Sequence, residues 1–163
     1  MTEAVAGIAV ERLPAGFDRW PELLALIQRS FSYMGGVIDP PSSALRLMPE
    51  SLAEKSANEV CFVALVGDRL AGCVFAAERP DVLYVGKLAV DPAEQGKGIG
   101  RRLMNAVEDL ARRTAKPALE LETRIELTEN HATFRRMGFI ETARTAHPGF
   151  DRPTSVTFRK HLT

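Results

Sequence analysis

The tightest constraint on this chain is the stretch from Val85 to Arg113, VGKLAVDPAEQGKGIGRRLMNAVEDLARR. An apolar run from Leu83 to Val90 stops at Asp91 and Pro92, and a short polar connection carries Gly96, Gly98 and Gly100 into an amphipathic segment. There Ile99, Leu103, Ala106 and Leu110 recur at helical spacing, which gathers them on one face. The stretch reads as strand, glycine turn, helix.

The first N–H groups of a helix have no acceptor inside it, and together with the macrodipole they make a place for an anion, commonly a phosphate. Glycines lacking Cβ let that backbone approach the anion closely. Lys97, Arg101 and Arg102 stand at the same end, where the dipole disfavours cations, and a bound phosphate would remove the conflict for Lys97 and Arg101. Two familiar phosphate motifs fail. A dinucleotide-type GxGxxG requires glycine where Arg101 stands, and a P-loop requires Ser or Thr where Gly98 stands.

What remains is Gln95-x-x-Gly98-x-Gly100 behind a strand ending Leu88-Ala89-Val90. On these residues the sequence resembles the GNAT superfamily of acyl-CoA-dependent N-acyltransferases. The pyrophosphate loop of that family reads (Arg or Gln)-x-x-Gly-x-(Gly or Ala), between the fourth strand and the third helix.

The remaining chain supplies elements in a compatible order. Gly7 to Leu13 alternates like a strand, and Trp20, Leu23, Leu24, Ile27 and Phe31 predict a helix from about Arg19 to Ser32, with Asp18 as N-cap and Pro21 in its first turn. Gly35-Gly36 and Pro40-Pro41 break the next segment into a loop, and Pro49 to Ala57 suggests a short helix. Val60 to Val66 and Leu70 to Ala77 flank Gly67-Asp68 as a buried hairpin that leads into Leu83 to Val90. After the central helix, Ala118 to Thr123 alternates as a strand, and a crossover of that length makes it parallel to the strand before the glycine loop. Thr128 to Met137 is a further helix, Gly138-Phe139 opens a strand to about Thr145, and Ser155 to His161 is the last strand. The order β-α-α-β-β-β-α-β-α-β-β is that of the GNAT fold. The expectation is an α/β (α+β) single domain over residues 1–163: a mixed central sheet of about seven strands with helices on both faces, splayed between the fourth and fifth strands.

Composition excludes several classes. Lys plus Arg and Asp plus Glu are 21 each, so a broad nucleic-acid or anionic-membrane surface is not expected, although a local cationic pocket is compatible with that balance. No apolar run reaches the ~18 residues of a spanning helix, and the N-terminus MTEAVAGIAVERL has no basic region before its apolar part, so a cytoplasmic protein is expected. Cys61 and Cys73 lie inside apolar runs and read as reduced core thiols; no metal site is expected from them or from the scattered His131, His147 and His161.

The resemblance implies acetyl-CoA as co-substrate and an amine of a small molecule or peptide as acceptor. It places Gln95, Gly96, Lys97, Gly98, Ile99, Gly100 and Arg101 at the pyrophosphate, and the backbone of Leu88, Ala89 and Val90 along pantetheine in the manner of an added strand. It implies direct attack by a neutral amine, with a backbone N–H near Val90 on the oxyanion. The variable region between the first two helices would help to select the acceptor. The family's second signature departs here: Gly138-Phe139 matches, but the position of its acidic Tyr is Phe134, with Leu127 at the Asn position and Asn130 one turn later as a cofactor contact. Glu122 is the first candidate base, with Tyr84, Glu120 and His131 behind it. Solvated glutamates on a half-exposed strand are the plain alternative for Glu120 and Glu122, and packing is the plain alternative for His131.

Three readings follow: an N-acetyltransferase; a non-catalytic acyl-CoA sensor or partner-binding module, motivated by Phe134; and a nucleotide-binding protein of another kind, motivated by the glycines alone. A homodimer, through the terminal strand or the loop from His147 to Pro153, is compatible with the sequence; the same loop could instead cover the site.

Overall fold

The computed structural model describes residues 7–163, so the reading of the extreme N-terminus falls largely outside the described residues. Seven strands form one sheet: β1 (Ile8–Arg12), β2 (Val60–Val66), β3 (Arg69–Glu78), β4 (Leu83–Val90), β5 (Ala118–Arg124), β6 (Ile140–Thr145) and β7 (Ser155–His161), in the order β1-β2-β3-β4-β5-β7-β6. The helices are α1 (Trp20–Phe31), α2 (Pro49–Asn58), α3 (Ile99–Arg113) and α4 (Thr128–Arg136). This is the expected order of elements on the expected mixed sheet.

Alternation along the strands sends side chains to two apolar layers. Cys61, Val63, Cys73 and Phe75 meet Leu23, Leu26 and Ile27 of α1 and Leu52 of α2 on one face. Phe62, Ala64, Val74 and Ala76 meet Leu103, Met104 and Val107 of α3 on the other. Strands β2 and β3 are covered on both sides, which is why they read as near-continuous apolar runs.

Two local expectations change. Asp18 does not cap α1: the residue before the helix is Arg19, which makes no side-chain cap and instead binds Glu22 at 2.7 Å and the Asp68 carbonyl at 2.5 Å. Nor is the terminal strand available to a second subunit. Strand β7 lies between β5 and β6 and pairs antiparallel with both, leaving β6 at the sheet edge.

Two features of the sheet create the site. Strands β4 and β5 pair in parallel only through Leu83–Leu119 and Tyr84–Glu120, at their beginnings, so they part toward their C-terminal ends. The β3–β4 register passes from Cys73–Ala89 to Phe75–Gly86, which puts one extra residue into β4. Lys87 takes a positive φ of 51° in this bulge, a conformation costly for a residue with Cβ.

Candidate active site

Where β4 and β5 separate, a cleft of about 680 Å³ opens between them. Its walls include Leu88 and Val90 of β4, Glu122 of β5, Gln95 and Gly100 of the glycine loop, and Asn130 and Phe134 of α4. Tyr84 closes the end where the strands still pair. The crossover thus brings together residues far apart in sequence, and the parting strands leave no ladder partner between them.

The glycine loop stands at the C-terminal end of β4. Gly96 and Gly98 have φ of 83° and 79°, and Gly98 is the residue immediately before α3. Arg102 N–H closes the first helical bond on the Gly98 carbonyl at 3.0 Å; among the described residues, the N–H groups from Gly96 to Arg101 meet no protein acceptor. A side chain built at Gly96 or Gly98 would face open space, so the loop is open for an incoming group. Unpaired donors, a helix dipole and room are what a pyrophosphate requires, and the loop fits coenzyme A on that chemistry.

The cationic part of the expectation divides. Lys97 Nζ binds Glu94 Oε1 at 2.7 Å, and Glu94 also holds Arg69. The carboxyl of Glu94 is held below its usual range by these two partners, so the charge of Lys97 has a partner within the chain. Arg101 is exposed and, among the described residues, forms no ion pair. Ile99 is buried under the sheet and the Ala89 side chain lies in the α1 layer, so these two offer the cleft only backbone.

Val90 brings a further difference. Its N–H donates to the Ser30 hydroxyl of α1 at 3.1 Å, so the group expected at an oxyanion already has a partner. Asn130 donates to the Tyr33 hydroxyl at 3.1 Å, bridging α4 to the segment after α1. Phe134 stacks edge-on against Phe139 at 5.9 Å and lines the cleft without a hydroxyl. Burial, reinforced by the negative charge of Glu122, pushes the Tyr84 phenol up to about 12, so it keeps its proton at neutral pH. His131 is buried with Nε2 on the Arg124 carbonyl at 2.9 Å, and Glu120 binds Arg159 at 3.0 Å. Both are engaged structurally, which leaves Glu122 as the carboxylate on the cleft wall among the described residues.

The chain matches the Acetyltransferase (GNAT) family over residues 20–139. It is a member of the GNAT acetyltransferase family. Membership brings acetyl-CoA as co-substrate, in keeping with the open loop at Gly96 to Arg101. Among relatives, this GNAT protein is 30% identical over 142 residues to an IAA acetyltransferase of Azospirillum brasilense, covering 86% of this chain and 90% of that one. It is 39% identical over 70 residues to an L-2,4-diaminobutyric acid acetyltransferase of Marinococcus halophilus, covering 41% of this chain and 40% of that one. Its fold superposes with a TM-score of 0.76 on the PaiA N-acetyltransferase of Thermoplasma acidophilum in complex with coenzyme A, at 14% identity over 95% of this chain and 99% of that one.

Sequence reasoning missed several parts of this GNAT site. Ser30 is one polar residue in an amphipathic helix, with no sequence signal to set it apart. The bulge at Lys87 lay inside an apolar run, although Gly86 within that strand is the kind of signal that marks a bulge. Gly72 was also hidden: a Cβ there would lie 2.9 Å from Ile99 Cγ2 and 3.1 Å from the Ala89 carbonyl, so the absence of a side chain seats the start of α3 against β3.

Proposed function

We propose that this chain is an N-acetyltransferase acting on the amine of a small molecule. The observation that carries this reading is the row of acceptor-free N–H groups from Gly96 to Arg101 at the mouth of a cleft between parting strands. Acetyl-CoA supplies an activated acetyl thioester. A neutral amine attacks its carbonyl carbon, the C–N bond forms as the C–S bond breaks, and coenzyme A leaves as the thiolate. The thiolate takes up the proton that the attacking nitrogen loses, directly or through water. The family match supports acetyl transfer, and the diaminobutyric acid relative is named for a small amine acceptor.

The roles divide between the cleft wall and the glycine loop beside it. The loop from Gln95 to Arg101 holds the pyrophosphate through backbone donors, with the Arg101 guanidinium adding charge. The backbone of Leu88, Ala89 and Val90 receives the pantetheine arm as an added strand. Asn130 and Phe134 flank that arm, Phe134 by apolar contact alone. Glu122 takes the proton from the incoming ammonium, directly or through water. Ser30 accepts from Val90 N–H and retains its own O–H, so the Ser30–Val90 pair presents a donor toward the carbonyl oxygen. Tyr84, protonated at neutral pH, orients by donating and does not serve as base.

The test titrates acetyl-CoA into the wild-type protein and Gly98→Trp by calorimetry, then follows thiol release over an amine panel. Gly98 has φ of 79° and open space at its Cβ, so tryptophan costs about 1–2 kcal/mol of backbone strain while blocking the loop. Wild-type binding, at least ~10-fold weaker binding in the folded variant and thiol release with amines are the expected results. Binding without turnover across the panel would favour an acyl-CoA sensor, and absence of wild-type binding would remove the reading altogether.

A further inference from the structure

The chain as a whole is electrically balanced, with 21 cationic and 21 anionic side chains, but its cleft is not. Among the described residues lining it, Arg46, Lys55, Lys87 and Arg124 face a single carboxylate, Glu122. Carboxylates outside the wall do not restore the balance, because they have partners of their own. Glu59, beside Lys87, binds Lys55 at 2.9 Å. Asp39 and Glu126, beside Arg124, are met by Arg152 at 3.2 and 3.9 Å.

Lys87, Arg124 and Arg46 therefore remain without an ion pair among the described residues. The Lys87 ammonium, half-buried, rests on the Ser43 hydroxyl at 2.9 Å, and the Arg124 guanidinium donates to the carbonyls of Pro40 and Pro41. Neutral oxygens satisfy hydrogen bonds but do not neutralise charge, and Glu126, Asp39 and Glu59, shared with other cations, offset it only in part. Burial, with the neighbouring charges of Lys55 and Arg124, pulls the Lys87 ammonium below its ordinary range, and desolvation does the same to Arg124. Lys87 is also held at φ 51° in the bulge. A strained backbone that directs a half-buried cation into a cleft is an outlier that points to use.

These cations are separate from the place of the pyrophosphate. Lys87 precedes Val90 by three residues, roughly 10 Å along an extended strand, and its hydroxyl partner belongs to the segment between α1 and α2. We propose that the acceptor is an amine that also carries an anionic group, as an amino acid or an amino-phosphate does, with that group seated on Lys87 and Arg124 and its amine directed to Glu122. The proposal rests on the acetyltransferase reading and names the substrate class of the same cleft.

The experiment compares pairs that differ in the anionic group: lysine with cadaverine, 2,4-diaminobutyrate with 1,3-diaminopropane, and phosphoethanolamine with ethanolamine. Initial rates are taken with acetyl-CoA at low ionic strength for wild type and Lys87→Met, and calorimetry measures binding of the same compounds with coenzyme A present. At least one anionic member should exceed its partner by about 10-fold or more in kcat/KM and in affinity, and Lys87→Met should bring that ratio near one. The amino-acid and phosphate pairs show which anion the site prefers. Equal or better use of the plain amines by wild type overturns the proposal. So does a preference that survives Lys87→Met, or an equal loss of kcat on both members of each pair, which would place Lys87 at the reacting amine. The wild-type comparison stands even if the variant does not fold. If acetyl-CoA fails to bind, the transferase reading falls, and binding of the acids no tighter than the amines separately ends this one.

Discussion

The Val90 N–H and the Ser30 hydroxyl meet at 3.1 Å, tying the strand that leads to the glycine loop to the last turn of α1. The bond satisfies a donor on a strand edge that has lost its neighbour, because β4 and β5 have separated before this point. A pantetheine chain laid against β4 has to share or replace it. Ser30→Ala should therefore lower the stability of the free protein by about 1 kcal/mol. It should also enlarge the rise in Tm on adding coenzyme A, since the ligand then fills a donor left open. Melting curves with and without coenzyme A check this; a smaller rise than in wild type would mean that Ser30 itself holds the ligand.

Gly72 tests how α3 is seated. Its missing Cβ leaves space that Ile99 Cγ2, Leu103 Cδ1 and the Ala89 carbonyl occupy. Gly72→Val should cost about 1–3 kcal/mol, because the carbonyl cannot rotate away as a side chain can. At about 2–4 °C per kcal/mol for a chain of this size, the Tm should fall by several degrees. Coenzyme A affinity should fall as well, because α3 begins directly after Gly98.

Asp91 gives the pH prediction. Its carboxylate accepts from Ala93 N–H at 2.9 Å and binds Arg29 at 2.9 Å, with Arg69 also near. The hydrogen bond from Ala93, followed by the pairing with Arg29, holds its carboxyl below the usual range. A depressed folded-state pKa adds stability that is complete above the unfolded carboxylate pKa and is lost as pH falls through the folded value. Asp91→Ala should lose about 1–2 kcal/mol near neutrality. Its penalty should shrink as pH drops from about 4 toward the lower folded value, measured by urea unfolding across that range.

Glu122→Gln keeps the shape of the cleft and removes the proposed proton acceptor. Its kcat should fall by about 100-fold or more with little change in coenzyme A binding. Tyr84→Phe, which removes a phenol pushed up to about 12, should cost much less. A larger loss in Tyr84→Phe than in Glu122→Gln would reverse these roles.

The two cysteines should be inert in the folded protein. Burial pushes the Cys61 thiol up to about 12 and raises Cys73 well above its ordinary value. Neither should react with a thiol reagent at pH 8 over a time in which the unfolded chain labels fully.

Local chemistry was legible in the sequence. The spacing of Ile99, Leu103 and Leu110 marked α3, Gly96 and Gly98 marked its anion-ready entrance, and Gly67-Asp68 marked the β2–β3 hairpin, because turns, helix faces and free N–H groups are properties of neighbours along the chain. The pairing of Lys97 with Glu94 was not legible for the same reason: Glu94 stands three residues away, but its burial and geometry are not written in the sequence.

Only the tertiary structure decided the rest. The Ser30–Val90 bond, the seating of Ile99 over Gly72, and the presence of Lys87 and Arg124 on the wall of one cleft all join residues distant in sequence. The parting of β4 from β5 after two paired positions and the insertion of β7 between β5 and β6 are likewise relations between strands distant along the chain. Periodicity along a strand names its faces, but it carries no information about which strand, helix or charge will lie across from it.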